Sequence, residues 1–243
     1  MPAPGRSGSP RTCSGFLPSR DGFAFANDWP PAPAITLPMP VRSIGIGNAA
    51  AGLCGGMVFA ALDYWRAGLR PPQARPVPGS PLYRYLVRRL IASWNIPGGV
   101  ARYYGWMNLP DGDSHLDLLG RRLLPERGVS SRTITTHWPR LRASLDRGTP
   151  AALGLVTVVS TNPGRLRHNH QALAFGYMTS GTEVIVRVYD PNTGPDDGVG
   201  IRFDTSSPGR ATEFRHNLRL DRPVRGFFLN PYSPAVPPPT ERT

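Results

Sequence analysis

Only one of the two cysteines in this 243-residue chain lies in a segment with a clear structural pattern. Cys54 stands where a glycine-containing loop meets a run of apolar residues at helical three-and-four spacing. Unpaired N–H groups at a helix start and the positive end of the helix dipole favour thiolate over thiol. The flanking Gly52, Gly55 and Gly56 would let a substrate backbone approach closely. Cys54 is therefore a candidate nucleophile, and a buried structural cysteine is the alternative if no partner exists.

A histidine and an aspartate farther along the chain are candidates for that partner. His170 stands at the start of one predicted strand, and Asp190 ends the next. If the hairpin is centred on Ser180 the two residues lie opposite each other, whereas a tight turn at Ser180 and Gly181 makes them diagonal neighbours. In either register the carboxylate reaches the imidazole, fixes its tautomer and stabilises an imidazolium that pairs with the thiolate. The pattern predicts a site of Cys54, His170 and Asp190.

A second histidine competes for the role of base. His168 lies two residues before His170 and would face the same side of a strand. We prefer His170, because it adjoins the apolar run 171–177, while His168 belongs to the polar loop that begins at Asn162. Taken singly, each histidine also fits a loop residue bonded to backbone, and Asp190 fits the cap of an Asp-Pro turn. The three residues together, in this order, favour a reactive site.

The elements that must position these residues are predicted from hydrophobic periodicity. The predicted helices span 54–67, 81–94, 114–124 and 138–147. The predicted strands span 151–159, 171–177, 183–189, 201–203 and 224–229. Helices first and strands after indicate an α+β fold, with a mainly helical first half and the helix of Cys54 packed on a mostly antiparallel sheet.

Composition predicts one domain between two extensions. With 40% apolar and 18% charged residues, the chain can bury one substantial core. Residues 1–20 are rich in Pro, Gly, Ser and Arg, and residues 233–243 form a Pro-rich tail, so we expect both to be disordered around a single catalytic domain at 21–232. The segment 23–41 carries aromatic residues among prolines and should lie extended across the body.

The charge of the chain comes from arginine alone, since all 28 basic residues are arginines and the formal net charge is +12. Such a charge suits nucleic acid or an anionic surface. However, the arginines are scattered, and no helix-turn-helix, zinc-finger or RNA-recognition signature occurs. We therefore expect a peptide or protein substrate and not nucleic acid. No signal peptide or membrane-spanning stretch is visible, so we expect a soluble, cytoplasmic protein.

No motif for a metal or a cofactor is visible. His115 lies near Asp111, Asp113 and Asp117, but neither a second histidine nor a ligand cysteine accompanies them. The run 190–197 has oxygen ligands without the spacing of a calcium loop. No phosphate-binding glycine motif or dinucleotide fingerprint is present. We expect neither a metal nor a cofactor.

The segments that contain the three candidate residues read GLCGGM, NHQALAFGY and VYDPN. In this order they resemble the papain-like cysteine peptidases, specifically the branch that contains the bacteriocin-leader peptidases. A further segment, LRASLDRGTPAALGLV, is similar to the helix, turn and strand that precede the histidine in that branch. The resemblance covers roughly residues 44 to 230. It implies a papain-like fold with Cys54 as nucleophile, His170 as base and Asp190 as the third member of a triad.

The resemblance also implies accessory residues. Such enzymes place a side-chain amide six residues before the nucleophile to stabilise the oxyanion, and that position holds Asn48 here. The usual residue is glutamine, and asparagine is shorter by one methylene group, so the reach of its amide is reduced. Asn192 is the second choice to Asp190 as orienting residue, because papain itself uses an asparagine there, and His168 is the second choice to His170.

The function that these residues imply is hydrolysis of a peptide or isopeptide bond through a thioester at Cys54. Two alternatives stay open. The same site would serve an amidase, a deamidase or a transglutaminase-like acyl transferase, because the walls of a cleft choose the acceptor. Alternatively, the papain-like fold persists as an inert module whose arginine-rich surface binds an acidic partner.

Overall fold

The structure, a computed structural model, describes residues 14–29, 33–37, 44–48, 53–118 and 121–239, with the backbone alone for 33–37, 44–48, 115–118 and 121–125. The helices in these residues are α1 (Pro18–Asp21), α2 (Cys54–Arg66), α3 (Pro81–Ser93), α4 (Gly98–Met107), α5 (Val129–Arg132) and α6 (Trp138–Asp146). The strands are β1 (Pro33–Leu37), β2 (Ile44–Asn48), β3 (Ser114–Leu118), β4 (Arg121–Glu126), β5 (Ala151–Val156), β6 (His170–Ser180), β7 (Glu183–Tyr189), β8 (Gly200–Asp204), β9 (Arg215–His216) and β10 (Gly226–Leu229).

A six-stranded antiparallel sheet forms the centre of the described residues, in the order β10-β5-β6-β7-β8-β9. β1 pairs with β2 and β3 pairs with β4 in two separate hairpins, both antiparallel. The mixture of helices and antiparallel sheet confirms the α+β class. The predicted strands of the second half are all present, although their bounds differ by a few residues.

Helices cover both faces of the sheet. Successive residues of a strand point to opposite faces, so one strand contributes to the cores on both sides. Along β6, Leu173 and Phe175 lie in the core beneath α2 and α3, whereas Ala172 and Ala174 lie in the core beneath α6. A third cluster joins α4 to β5 and β10 through Tyr103, Val156 and Phe228, with the rings of Tyr103 and Phe228 4.6 Å apart. The sheet is therefore buried on both faces. The start of α2 packs against the start of β6, which is a central strand.

Residues near both ends of the described chain make long-range contacts that the sequence does not predict. Phe16 is fully buried, and Ser14 Oγ donates to the Phe175 carbonyl at 2.7 Å. At the other end, residues 231–239 follow α2 and α3, where the Ala235 N–H donates to Asp63 Oδ1 at 2.8 Å and Tyr64 Oη donates to the Pro238 carbonyl at 3.1 Å. The expected disorder of residues 14–20 and 233–239 is therefore wrong, because composition alone does not reveal these long-range contacts.

Two elements of the first half differ from the prediction. Residues predicted as a helix over 114–124 form the β3–β4 hairpin, in which Leu116 pairs with Leu124. Ser114, the first residue of the predicted helix, begins a strand, and Gly120 and Pro125 in the sequence disfavour a helix there. In addition, α4 was not predicted, because the pair Gly98 and Gly99 obscures the helical spacing of the residues that follow.

Candidate active site

Cys54 is the first residue of α2, as the sequence predicts. The residue as a whole is partly exposed to solvent. Its neighbours Gly55 and Gly56 are both buried. A Cβ atom on Gly55 would collide with Ser93 Oγ and lie 2.6 Å from Gln171 Nε2, and one on Gly56 would collide with the Leu86 carbonyl oxygen. The two glycines therefore permit the close packing that places Cys54 against the sheet.

His170 opens β6, and its ring lies beside Asp190, which follows β7 directly. His170 Nε2 is 2.7 Å from Asp190 Oδ1, and both residues are buried, with Asp190 fully inaccessible. Because Nε2 is engaged by the carboxylate, the ring interacts with the Cys54 thiol through Nδ1. The three residues named from the sequence are thus brought together in the order Cys54, His170, Asp190.

The electrostatics of the three residues favour a thiolate–imidazolium pair. Burial raises the pKa of the Cys54 thiol, but the charge of His170, a hydrogen bond to its ring and the backbone N–H groups of Gln171 and Gly55 reverse this and lower that pKa. Burial lowers the pKa of His170, but the Cys54 thiolate and the hydrogen-bonded Asp190 outweigh burial and raise it to about 10. The two shifts stabilise the same charged pair.

The carboxylate of Asp190 is held by four hydrogen bonds. Oδ1 accepts from the Asn192 N–H at 3.0 Å as well as from His170, and Oδ2 accepts from Thr193 Oγ1 and from the Arg219 N–H, both at 3.0 Å. Burial raises the pKa of Asp190, but these hydrogen bonds and the charge of His170 lower it overall. Asp190 is therefore ionised and fixed, as a group that orients histidine must be.

The register of β6 and β7 differs from the first of the two predicted registers. Leu173 lies opposite Tyr189 and Ala174 opposite Val188, with a bulge between Ala174 and Gly176. A two-residue turn at 181–182 joins the strands, since Ser180 pairs with Glu183. His170 and Asp190 are therefore diagonal neighbours and not an opposed pair. The turn displaces the register by three residues from the opposed arrangement, and the bulge, which the sequence pattern does not reveal, reduces this displacement to two.

A buried polar cluster lies behind Gly55. Gln171 Nε2 donates to Ser93 Oγ at 3.0 Å, and Asn230 Nδ2 donates to Gln171 Oε1 at 3.0 Å and to the Ser93 carbonyl at 2.8 Å. These contacts tie the end of α3 and the residue after β10 to the second residue of β6. Since the Gln171 N–H also acts on Cys54, the cluster fixes the backbone beside the thiol.

Asn27 was not predicted, yet it joins the two halves of the site. Its Oδ1 accepts from the Leu53 N–H at 2.7 Å, directly before Cys54, and its Nδ2 donates to Asn192 Oδ1 at 3.0 Å, in the loop after Asp190. Its own N–H donates to the Pro191 carbonyl at 2.8 Å. No local sequence signal marks such a residue, because its partners lie 26 and 165 positions away.

Tyr103 on α4 is a second contact of the site that was not predicted. Its hydroxyl donates to the His170 carbonyl at 3.1 Å. Burial raises the pKa of Tyr103, and the charge of the nearby Cys54 raises it further. Gly154 on β5 makes room for it, since a Cβ there would lie 2.7 Å from the hydroxyl. The three-residue step from Tyr103 to Trp106, both buried, is the periodic signal that could have revealed this helix.

The second-choice residues do not take the roles considered for them. His168 ends a 3₁₀ helix (Pro163–His168), and burial, followed by the charges of Arg222, Arg167 and Arg165, lowers its pKa. The side chain of Asn192 bonds Asn27 and the Arg219 carbonyl and does not contact the histidine ring. Asn192 instead supports Asp190 through its backbone N–H.

The predicted oxyanion donor stays untested. Asn48 ends β2, where its backbone pairs with Pro33, and its side chain lies outside the described residues.

Within the residues described, no group of three or more His, Cys, Asp or Glu side chains could hold a metal ion. Over the same residues, no helix is both long and apolar enough to span a membrane.

Comparisons of the chain with models of protein families, with curated proteins and with solved structures gave no match. The resemblance to papain-like peptidases therefore stays a hypothesis based on the sequence segments around Cys54, His170 and Asp190. The geometry of these residues is an observation independent of that resemblance. Any functional proposal for this chain has to rest on the site itself.

Proposed function

We propose that this protein is a papain-like thiol hydrolase that cleaves a peptide or isopeptide bond through a thioester at Cys54. One observation carries the proposal: the thiol of a cysteine at a helix start is hydrogen-bonded to a buried histidine whose other ring nitrogen is 2.7 Å from a buried carboxylate. A structural cysteine needs no such partner. The lowered pKa of Cys54 and the raised pKa of His170 support the same function.

The chemistry follows from the roles that the three residues can take. The Cys54 thiolate attacks the acyl carbon and forms a C–S bond, while the carbonyl oxygen takes up the negative charge. When the C–N bond breaks, the His170 imidazolium gives its proton to the leaving amine. Neutral His170 then removes a proton from water as the water oxygen attacks the thioester carbon. The C–S bond breaks, the carboxylic acid leaves, and the thiolate–imidazolium pair is restored. Asp190 keeps Nε2 engaged throughout, so that Nδ1 faces the sulfur.

The proposal is tested by looking for a Cys54-dependent covalent reaction and for turnover. A peptide library is incubated with the wild-type protein and with Cys54→Ala, and cleavage is followed by mass spectrometry. In parallel, a peptidyl acyloxymethyl ketone is used to label the wild-type protein and His170→Ala. We expect cleavage only by the wild type, and labelling of Cys54 that is strongly reduced in His170→Ala.

Two results would overturn the proposal. If Cys54 is labelled no faster than a free thiol and no peptide is cleaved, the site is inert. If cleavage persists in Cys54→Ala, another group or a contaminant is responsible. A product that carries an added amine in place of water would keep the roles of Cys54 and His170 but change the class to acyl transfer.

A further inference from the structure

Four arginines lie in the two chain segments that adjoin the His170–Asp190 pair. Arg165 and Arg167 lie in the 3₁₀ helix that ends two residues before His170, and Arg219 and Arg222 lie in the loop that covers Asp190. The link to the site is direct, because the Arg219 N–H donates to Asp190 Oδ2 at 3.0 Å. We call these four side chains the arginine rim.

The arginine rim is exposed and poorly neutralised. Arg165, Arg167 and Arg219 are exposed, and only Arg222 has an ion pair with a described acidic side chain, Nε to Asp221 Oδ1 at 2.9 Å. Arg222, Arg167 and Arg165 lower the pKa of His168, which lies between the two segments, and Asp221 raises it. These three arginines therefore lie near His168, and Arg219 stands three residues before Arg222 in the same loop.

Nearby acidic residues neutralise the positive charge of the arginine rim only in part. Asp190 is buried and engaged by His170. Asp197 accepts from the backbone and hydroxyl of Ser19, and Asp196 accepts from the Gly198 N–H. The positive charge thus faces solvent beside the candidate base, where it would meet part of a bound substrate.

We propose that the arginine rim selects acidic peptide segments, so that the preferred substrate carries Asp or Glu beside the bond that Cys54 attacks. This inference rests on the proposed function. A planar guanidinium binds a carboxylate through two parallel hydrogen bonds, and several of them together favour a run of carboxylates. Nucleic acid is the competing anion, but Tyr104 is the single exposed aromatic side chain among the described residues, and one ring does not provide a platform on which successive bases stack.

The variant of the arginine rim and its matched control each replace three arginines. The rim variant combines Arg165→Gln, Arg167→Gln and Arg219→Gln, which keeps every backbone contact of Asp190. The control combines Arg66→Gln, Arg70→Gln and Arg147→Gln, all exposed. Arg66 ends α2, 12 residues from Cys54 and so about 18 Å away along the helix. Arg147 follows α6 on the opposite face of the sheet, next to Asp146, which bonds Tyr177 far along β6.

The first measurement compares two alkylating agents that differ in charge. In a Cys13→Ser background at about 100 mM ionic strength, where charges act over about 10 Å, the rates of Cys54 modification by iodoacetate and by iodoacetamide are measured. The ratio of the two rates should fall roughly threefold in the rim variant and stay unchanged in the control variant. Equal ratios in the two variants would overturn the inference, whether or not the protein cleaves peptides.

The second measurement uses peptides that the wild type cleaves, in versions with Glu or Gln on either side of the scissile bond. We expect a higher kcat/KM for the Glu peptides, and we expect the rim variant alone to lose this preference. If Glu and Gln peptides are cleaved alike, the proposed function stands and the inference fails. If a single-stranded oligonucleotide protects Cys54 from iodoacetamide and a Glu-rich peptide does not, the arginine rim binds nucleic acid and the inference is wrong.

Discussion

The Cys54 thiol and the His170 ring each occupy an environment in which burial alone would favour the neutral form. Their mutual attraction and the four hydrogen bonds of Asp190 reverse that preference. The contacts that hold the residues in place are as important as the residues themselves, since a small displacement weakens both the charge pair and its hydrogen bond. Asn27 and Asp190 provide separate tests of this view.

Asn27→Ala should raise the pKa of the Cys54 thiol toward its unperturbed value of about 8.5, because the Leu53 backbone and the Asn192 loop lose their common partner. Catalytic turnover should fall roughly ten- to a hundredfold. The thiol pKa is read from the pH dependence of alkylation. Asn27→Asp keeps the acceptor for Leu53 and should show a smaller shift. A lower melting temperature with an unchanged thiol pKa would show that Asn27 acts only on stability.

The pH dependence of turnover should be bell-shaped. Activity should rise as Cys54 ionises, below the ordinary pKa of a thiol, and fall as pH increases through the pKa of His170, which is raised to about 10. Asp190→Asn should move the alkaline limb to lower pH, because the carboxylate charge helps to keep the imidazolium protonated. An alkaline limb that does not move in Asp190→Asn would contradict the role assigned to Asp190.

At the scale of elements, the site depends on how closely α2 approaches β6. Gly55 is the contact point, because its missing Cβ leaves room for Ser93 and Gln171. Gly105 is also helical, but it is exposed on α4 with no atom within 4 Å of a Cβ built there. The two glycines thus separate a packing requirement from the general cost of glycine in a helix.

Gly55→Ala should lower the free energy of unfolding by about 1–3 kcal/mol, because the added methyl group overpacks the buried polar cluster. Gly105→Ala should raise it by about 0.5–1 kcal/mol, since alanine favours the helix and meets nothing. Urea denaturation measures both changes. If both variants gain stability alike, α2 and β6 are not packed as closely as described.

How much of the fold and of the candidate site could be predicted from the sequence depends on how far apart along the chain the interacting residues lie. Elements with a strong local period, such as α2, α3, α6 and β7, were predicted with bounds within two residues. The β3–β4 hairpin was mistaken for a helix, because its leucines fit both periods, and a bulge shifted the register of β6. Chemical type and order revealed Cys54, His170 and Asp190, but Asn27 and Tyr103 act through contacts between distant segments.

At the scale of the whole molecule, the chain ends contribute to the body that carries the site. Residues 14–29 cross the sheet and reach the loop before Cys54, and residues 231–239 follow α2 and α3. A buried ion pair anchors the second segment, since Arg89 Nε lies 2.6 Å from Asp63 Oδ2 and Arg89 also donates to the Ser233 carbonyl. Both segments therefore belong to the folded domain.

Phe16→Ala should lower the free energy of unfolding by about 3 kcal/mol or more, because this fully buried ring packs against Phe175 and Tyr189. Ser19→Ala, in the same segment, removes only an exposed hydrogen bond to Asp197 and should have an effect within about 1 kcal/mol. Equilibrium unfolding in urea gives both values. Equal effects of the two substitutions would show that residues 14–20 are not part of the core.

The most direct test of the thiolate–imidazolium pair is the pH dependence of Cys54 alkylation by iodoacetamide in a Cys13→Ser background. We compare the wild type with His170→Ala and His168→Ala. The wild type should show an apparent thiol pKa below about 8.5 and rapid reaction at neutral pH. His170→Ala should raise that pKa to the unperturbed range, and His168→Ala should leave it unchanged. A thiol pKa that is insensitive to His170, or that rises when His168 is replaced, would contradict the site described.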